Sequence, residues 1–213
     1  AEPGRSVSID DSSPIEGTDL VRATREALRS GRSRTVRLPV GGTDAGVFLE
    51  VFPRPRKLVI FGGVHVAAAL VTLAHALDYR TVVADGRPSF LTRERFPDAD
   101  QLILGWPDEA FAQAGIDSAT AVAVLTHDPK FDDPALMIAL RSPAMYVGAI
   151  GSKKTQAARR ERLRAAGLTD DQVGRLFGPI GLDLGGRTPA ETALAIMAEI
   201  VAVRHGAAVA RTA

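Results

Sequence analysis

From Lys57 onward, short apolar segments alternate with segments of helical pattern, and this alternation constrains the fold more than any other feature of the chain. Parallel β-α-β units produce such an order, and nearly all-apolar strands are typical of sheets covered by helices on both faces. The predicted strands are KLVIF (57–61), RTVVAD (80–85), QLIL (101–104), AVAVLT (121–126) and AMYVGAI (144–150). Helices are predicted to begin near His65, Pro107, Pro134 and Ser152.

These elements predict an α/β fold with a doubly wound, mostly parallel, Rossmann-like sheet. If the chain reverses direction after the third strand, the strand order is 3-2-1-4-5. A closing helix is predicted within TPAETALAIMAEIVAVRHG (188–206), where Thr188 is the N-cap, Glu191 completes a capping box and Gly206 follows the end. The buried stripe of this helix is predicted to be Leu194, Met197, Ile200 and Val201.

Residues 1–52 are predicted to form a small helix-hairpin appendage, a partial N-terminal module, and residues 53–213 to form the Rossmann-like domain. Residues 1–17 are polar and rich in Ser, Asp, Pro and Gly, so we expect a flexible lead-in there.

The rest of the appendage contains one helix and one hairpin. The helix is predicted over 18–31 with Thr18 as its N-cap, and its apolar face is predicted to carry Leu20, Val21, Ala27 and Leu28. RTVRLPV and AGVFLEVF flank the turn GGTD and predict the hairpin, which Pro39 and Pro53 limit to an edge position.

Composition excludes several classes of function. The 26 basic and 25 acidic residues leave a net charge of +1, so no global field attracts nucleic acid. No apolar stretch reaches the roughly 18 to 20 residues that cross a bilayer, so we expect a soluble protein with no membrane partner. The N-terminal segment has no basic start followed by an apolar block, so no secretory signal is predicted and the cytoplasm is the expected location.

Cysteine is absent, which excludes disulfides, thiolate metal ligands and thiol nucleophiles. No paired metal-ligand spacing, nucleophile elbow or Walker lysine motif is present, so no metal site is predicted and no catalytic residue is assigned. The densest basic segment, SKKTQAARRERLRAAG (152–167), is predicted to be a helix with cations around most of its surface. We expect a solvated face there, with a docking patch for nucleic acid or a protein partner as the alternative.

Ligands of a doubly wound sheet collect at the carboxyl ends of its strands, near the switch point between the first and fourth. The first strand leads into FGGVHVAAAL (61–70), which is close to the dinucleotide fingerprint G-x-G-x-x-G/A. Gly62 and Ala67 occupy the outer places, but Val64 occupies the middle one and the spare glycine is Gly63. A β-branched residue there counts against close approach of a pyrophosphate, and a tight strand-to-helix turn also explains the glycines.

Other strand ends supply further candidates. Asp85 and Arg87 follow the second strand, and the acid has a spacing from Gly62 that suits contact with a ribose hydroxyl. This spacing supports an NAD(P)-dependent oxidoreductase as the alternative function. After the fifth strand, GSKKT (151–155) forms a second glycine-to-helix junction with free amides and lysines. The candidate contacts at this junction are Gly151, Ser152 and Lys153.

Two histidines, His65 and His127, lie at predicted ligand-facing strand ends. Each is interpreted either as a hydrogen-bonded structural residue or as an acid/base group or metal ligand, and the two are placed to meet across the switch point.

The segment FGPIGLDLGGRTPAE (177–191) is also a candidate, because its four glycines are costly unless close packing or a ligand requires them. Asp183 and Arg187 are its candidate side chains. The segment leads into the helix at Thr188, whose N-terminus is a further predicted place for an anion.

Five segments, in order over roughly residues 46–206, resemble the xanthine dehydrogenase accessory family, XdhC/CoxI. They are VIFGGVHVAAAL, VVADGRPSFLTRERFPDAD, VLTHDPKFDDPAL, YVGAIGSKKTQAARRERL and GPIGLDLGGRTPAETALAIMAEIVAVR, of which the last two are the most specific. Two features depart from the family pattern. The family turn usually reads G-A-G-H where this chain has Gly62, Gly63 and Val64, and the family's cysteine-bearing N-terminal module is largely absent.

The resemblance implies a maturation chaperone that binds molybdenum cofactor (molybdopterin) and inserts it into a molybdenum hydroxylase such as xanthine dehydrogenase. A cofactor-binding accessory protein is therefore expected rather than a catalyst. A sulfur-donating cysteine desulfurase is the second implied partner, and without cysteine this chain cannot itself carry a persulfide. The edge hairpin and the long final helix are usable for self-association, so a homodimer is a further expectation.

Molybdopterin carries one terminal phosphate and a bulky tricyclic head, so a turn with Val64 can hold one phosphate while excluding a dinucleotide. Under this hypothesis the first junction faces the phosphate, the second gives another anion contact, and the glycine-rich segment shapes the pocket wall. The residues assigned to these three roles are Gly62, Gly63 and His65, then Gly151, Ser152 and Lys153, then Asp183 and Arg187.

Overall fold

The computed structural model describes residues 18–40, 43–52 and 55–208. The chain divides into two compact units, residues 1–54 and 55–213. The lead-in predicted over residues 1–17 lies outside the described residues.

The smaller unit contains α1 (Thr18–Ser30) followed by the antiparallel strands β1 (Arg34–Val40) and β2 (Thr43–Leu49). The hairpin is confirmed, but its ladder runs to a pair between Val40 and Thr43, so the connection is shorter than the predicted GGTD turn.

The buried face of α1 differs from the prediction. Leu20, Ala23 and Ala27 are buried, whereas Val21 and Leu28 are exposed. The buried residues follow the spacing i, i+3, i+7, which is one face of a helix, and the two exposed residues lie beside that stripe. Thr18, predicted as the N-cap, is the first helical residue.

The larger unit is built on a six-stranded sheet in which every strand pair is parallel. Its strands are β3 (Arg56–Phe61), β4 (Tyr79–Asp85), β5 (Gln101–Leu104), β6 (Thr120–Val124), β7 (Tyr146–Ala149) and β8 (Leu176–Phe177). Its helices are α2 (His65–His75), α3 (Pro107–Ala114), α4 (Pro129–Arg141), α5 (Lys153–Ala165), α6 (Asp170–Gly174) and α7 (Pro189–Arg204). The strand order is β5-β4-β3-β6-β7-β8, which confirms the predicted order and adds the unpredicted strand β8 at one edge.

Helices cover both faces of this sheet, so successive strand residues enter two separate cores. Leu58 and Ile60 of β3 pack in the core that includes α2 and α7. Val59 and Phe61 pack in the core that includes α3, α4, α5 and α6. Burial on both faces explains why the strands are almost entirely apolar.

The closing helix α7 confirms its predicted ends but not all of its predicted face. The Thr188 hydroxyl accepts from the Glu191 amide while the Glu191 carboxylate accepts from the Thr188 amide, which is the predicted capping box. Leu194, predicted as buried, is 51% exposed, and Val201 is only partly buried. The stripe that faces the core is Ala193, Ile196, Met197 and Ile200. Among the described helices, α7 is the longest at 16 residues, and none of them is long and apolar enough to cross a bilayer.

Helix α4 begins at Pro129 and not, as predicted, near Pro134, which lies inside the helix. The Asp128 side chain caps the helix by accepting from the Lys130 amide at 3.0 Å. Proline suits the first helical position because no amide is required there. The sequence HDPKFDDP contains two Asp-Pro pairs, and the structure uses the earlier pair as the helix start.

Candidate functional site

The turn between β3 and α2 requires glycine at two positions for packing alone. Gly62 has a φ of +118°, and a Cβ there would lie 2.9 Å from both the amide nitrogen and Cγ2 of Thr126, just beyond β6. A Cβ at Gly63 would overlap the carbonyl oxygen of Phe90. The tight-turn interpretation therefore explains both glycines without any ligand.

The N-terminus of α2 nevertheless keeps free amides. Val64 is the N-cap and provides no side-chain cap, and its side chain packs against the core of the α2 and α7 face. The Ala67 amide donates to the Val64 carbonyl at 2.9 Å, whereas the amides of His65 and Val66 have no hydrogen-bond partner among the described residues. This end of the helix can therefore receive one anionic group.

Asp85, at the end of β4, is the centre of a closed hydrogen-bond cluster. One carboxylate oxygen accepts from the amide and Nε of Arg87, both at 2.9 Å. The other accepts from Nη2 of Arg87 at 2.9 Å and from the Gly63 amide at 2.8 Å. Burial opposes the charged form, but the guanidinium and the two amides outweigh it and hold the pKa of Asp85 below its usual value.

This cluster bears on the dinucleotide alternative. All four hydrogen bonds to the Asp85 carboxylate come from the protein, so a ribose hydroxyl would have to displace one of them. The Gly63 amide, predicted to face a phosphate, is likewise already used by Asp85. Asp85 is thus a residue that ties the β3–α2 turn to the end of β4.

The second junction, between β7 and α5, is capped but presents an exposed cation. Gly151 has a φ of +138°, and Ser152 caps α5 by accepting from the Thr155 amide at 3.2 Å. The hydroxyls of Ser152 and Thr155 are 2.9 Å apart, so the predicted anion-binding hydroxyl is engaged within the helix end. The Lys153 side chain is exposed.

The two candidate histidines are both exposed. Within the described ranges, neither ring has a hydrogen-bond or ion-pair partner, so no hydrogen bond joins His65 to His127. The described residues also contain no group of three or more His, Asp or Glu side chains arranged to hold a metal ion.

The glycine-rich segment after β8 packs closely against α5 and α7 at its start. A Cβ at Gly178 would overlap the Gln156 amide oxygen, and one at Gly181 would lie 3.1 Å from the backbone of α7. From Asp183 to Arg187 the segment is exposed, so both predicted side chains are accessible. The N-terminus of α7 differs from the prediction of an anion site, because the Glu191 carboxylate already accepts there from the Arg187 and Thr188 amides, each at 2.9 Å.

A buried carboxylate on α7 anchors this segment. Glu199 accepts hydrogen bonds from the Tyr146 hydroxyl and, at 2.9 Å, from the Gly181 amide. Burial, together with the Glu199 charge, raises the pKa of Tyr146 well above its usual value, so the phenol remains a hydrogen-bond donor. The ring of Tyr146 stacks on Phe177 with centroids 4.7 Å apart. The sequence feature that indicates this buried carboxylate is the single acidic residue within the apolar run AIMAEIVAV.

A second buried network lies beneath the carboxyl ends of β6 and β7, and sequence reasoning missed it. Arg159 is 2% exposed and donates to Asp132, 1% exposed, at 2.5 Å. The Thr126 hydroxyl donates to the other carboxylate oxygen, and Arg159 also donates to the Gln156 amide oxygen and the Ile150 carbonyl, both at 2.9 Å. The prediction of a solvated basic face is therefore wrong for Arg159, although Lys153, Lys154, Arg162 and Arg164 are exposed.

An exposed aromatic surface adjoins the Asp85 cluster, and it too was not predicted. Trp106, which follows β5, is 44% exposed and lies 5.0 Å from the Phe131 ring. The Lys130 ammonium lies 5.0 Å from the Trp106 ring centroid, and the Arg87 guanidinium lies 5.9 Å from the Phe131 centroid. Phe131 is buried, so Trp106 provides the accessible ring, and an indole beside the Lys130 ammonium suits a planar, anionic molecule.

Strand order, helices on both faces and the glycine turn at the switch point define a Rossmann-type domain of the doubly wound class. Residues 58–200 match the model of the XdhC Rossmann domain, and the chain belongs to the XdhC family.

Several named proteins are similar to the chain. A protein from Bacillus subtilis (strain 168), named as a probable subunit of xanthine dehydrogenase, is 30% identical over 176 residues, which are 82% of this chain and 51% of that protein. The molybdenum cofactor insertion chaperone PaoD from Escherichia coli (strain K12) is 30% identical over 148 residues, which are 70% of this chain and 40% of that protein. The chain therefore spans about half, or less, of these relatives.

A solved structure supports the same fold. The crystal structure of a xanthine dehydrogenase from Bacillus halodurans superposes with a TM-score of 0.63 at 23% identity. The superposition covers 91% of this chain and 66% of that chain.

Proposed function

We propose that the chain binds molybdenum cofactor and inserts it into a molybdenum hydroxylase of the xanthine dehydrogenase type. The observation that carries the proposal is the XdhC family match over residues 58–200. The similarity to a molybdenum cofactor insertion chaperone adds the direction of the activity, which is delivery of the cofactor and not its consumption. We therefore propose an accessory protein and not a catalyst.

The carboxyl edge has features that fit such a cargo. The free amides of His65 and Val66 suit one terminal phosphate, and Lys153 offers a second, exposed positive charge. Trp106 presents an exposed ring on which a planar tricyclic head can stack, beside the Lys130 ammonium. The closed Asp85 cluster leaves no free acceptor for a ribose, which favours a single phosphoester over a dinucleotide. His127, Asp183 and Arg187 are exposed and remain proposed contacts.

Equilibrium ultrafiltration with anaerobically released molybdenum cofactor tests this proposal, with bound pterin quantified by fluorescence after oxidation. We expect saturable binding that weakens about tenfold or more in Lys153→Ala, while Lys154→Ala serves as the matched control because Lys154 is the adjacent exposed lysine. Binding that does not saturate, or that weakens equally in both variants, would contradict the assignment.

Reduced nicotinamide dinucleotides provide the competing measurement. A ligand present at a hundred times its Kd stabilises the folded state by about 2.7 kcal/mol. We expect no shift in Tm with NADH or NADPH, because Asp85 is saturated by protein donors. A concentration-dependent rise in Tm would instead support the oxidoreductase alternative.

The partners follow from the proposed activity. We propose that the chain contacts its client hydroxylase and a cysteine desulfurase in the cytoplasm, and that two copies associate. None of the 213 residues is cysteine, so this segment does not itself carry sulfur for the cofactor as a persulfide. Co-purification with each partner and the molar mass from light scattering test these contacts separately.

A further inference from the structure

A groove separate from the switch point lies along α5. It has a volume of about 390 Å³, which is within the range of small-molecule sites. We call it the α5 groove, and it is lined by Lys153, Gln156, Ala157, Arg160, Glu161, Arg164, Gly174, Leu176, Gly178 and Pro179.

The α5 groove carries an excess of positive charge. Lys153, Arg160 and Arg164 contribute three cations, against the single carboxylate of Glu161. Arg164 forms an ion pair at 2.7 Å with Asp170, and Asp170 does not line the groove. Arg160 forms no ion pair with any described residue, and its Nη2 instead donates to the Leu176 and Gly178 carbonyls at 3.2 and 3.4 Å. The groove thus contains a cation whose charge the protein does not balance.

The surroundings of Arg160 make that imbalance costly. Its side chain is partly buried, and burial together with the positive charges of Arg164 and Arg159 lowers the pKa of Arg160 below its usual value. A dianion bound between Arg160 and Lys153 would replace this repulsion with attraction. Guanidinium presents a planar fork of donors that matches phosphate oxygens, which favours a phosphate group over a monoanion.

The remaining lining indicates what the anion is attached to. Ala157, Leu176 and Pro179 give the groove an apolar part, and Gly174 contributes no side chain. Position 178 requires glycine, because a Cβ there would overlap the Gln156 amide oxygen. An apolar group placed against these residues would leave its phosphate near the cations.

We propose that the α5 groove is a second ligand site, which takes a small phosphate monoester with an apolar body. Arg160, Leu176 and Pro179 line the groove and belong to no part of the cofactor site described above. Lys153 is shared between the two sites, so Arg160 is the residue that separates them.

Isothermal titration with phenyl phosphate tests the proposal, with inorganic phosphate and phenol as partial probes. We expect one saturable site for phenyl phosphate, weaker binding of inorganic phosphate and none of phenol. Arg160→Gln should weaken phenyl phosphate at least tenfold, whereas Arg162→Gln should not, because Arg162 lies on the same helix, pairs with Asp133 and does not line the groove. Arg164→Gln, at an exposed position that lines the groove and has no part in the cofactor site, provides a second variant in case Arg160→Gln fails to fold.

Three results would overturn the proposal. Absence of saturable binding would show that the groove is not a ligand site. Equal losses of affinity in the Arg160 and Arg162 variants would show a general effect of positive charge. Equal affinity for phenyl phosphate and inorganic phosphate would show that the apolar part of the groove contributes nothing to binding. Loss of molybdenum cofactor binding with phenyl phosphate binding intact would instead count against the proposed function alone.

Discussion

Replacing Arg159 by methionine tests the buried network beneath the carboxyl edge. The substitution keeps an unbranched side chain but leaves the Asp132 carboxylate, 1% exposed, without its cation. Breaking a buried ion pair by removing one partner costs about 3–5 kcal/mol. The matched control is Arg162→Met on the same helix, where the side chains of the ion pair with Asp133 are 41% and 25% exposed, so that the pair is expected to contribute about 0–1 kcal/mol.

The pH dependence of this variant has a definite sign. Burial raises the pKa of Asp132 in the wild-type protein, and the Thr126 hydroxyl and Arg159 oppose that rise. Without Arg159 the native pKa rises further above the unfolded value, so the native state binds the proton more tightly. Stability then falls as pH rises between the two pKa values. The deficit of Arg159→Met relative to wild type should therefore be largest at neutral pH and shrink as the pH approaches about 4.

Urea unfolding followed by tryptophan fluorescence measures this effect, because Trp106 is the only tryptophan and lies in the larger unit. The double variant Asp132→Leu with Arg159→Met should recover most of the loss, since an apolar pair can replace a buried ion pair at little cost. A deficit below about 1 kcal/mol at pH 7, or one that grows on acidification, would refute the reasoning.

Three further predictions concern packing. Gly63→Ala should lower the free energy of unfolding by about 1–3 kcal/mol, because its Cβ would overlap a backbone carbonyl. A change within about 0.5 kcal/mol in urea unfolding would show that the turn can accommodate a Cβ at this position. Ile196→Ala should lower the free energy of unfolding by about 2–5 kcal/mol, and Leu194→Ala by less than about 0.5 kcal/mol, since only Ile196 is buried. Similar losses for the two variants in thermal unfolding would contradict the observed buried face of α7. Tyr146→Phe should cost about 1–3 kcal/mol because Glu199 loses a buried donor, and unchanged stability by urea unfolding would contradict that anchor.

Much of the fold was predictable because each central strand is a continuous apolar run and most crossovers contain a helix, with α2, α3 and α4 each filling one. The order of five strands followed from the expectation that the chain reverses direction after the third strand, and it is the observed order. Strand β8 was missed because two residues, Leu176 and Phe177, carry no periodicity. The face of α7 was missed because apolar residues surround most of that helix, so Leu194 and Ile196 could not be separated by type.

The site was less predictable because its contacts depend on which polar groups satisfy one another. The spacing placed Asp85 at the end of its strand, but the spacing does not show that Arg87 and the Gly63 amide occupy its carboxylate. In the sequence, Arg159 could not be distinguished from the exposed cations of the same helix. Its burial had one sequence sign, because Gln156, Arg159 and Leu163 share the spacing i, i+3, i+7 of a single helical face.

The molybdenum and pterin content of the purified chain tests the central claim most directly. The chain would be expressed in cells that make molybdenum cofactor and isolated without oxygen beside the Lys153→Ala variant. The account predicts molybdenum and pterin in equal amounts, approaching one of each per chain, with less of both in the variant. Folded protein that carries neither above the level of an unrelated protein purified in parallel would contradict it.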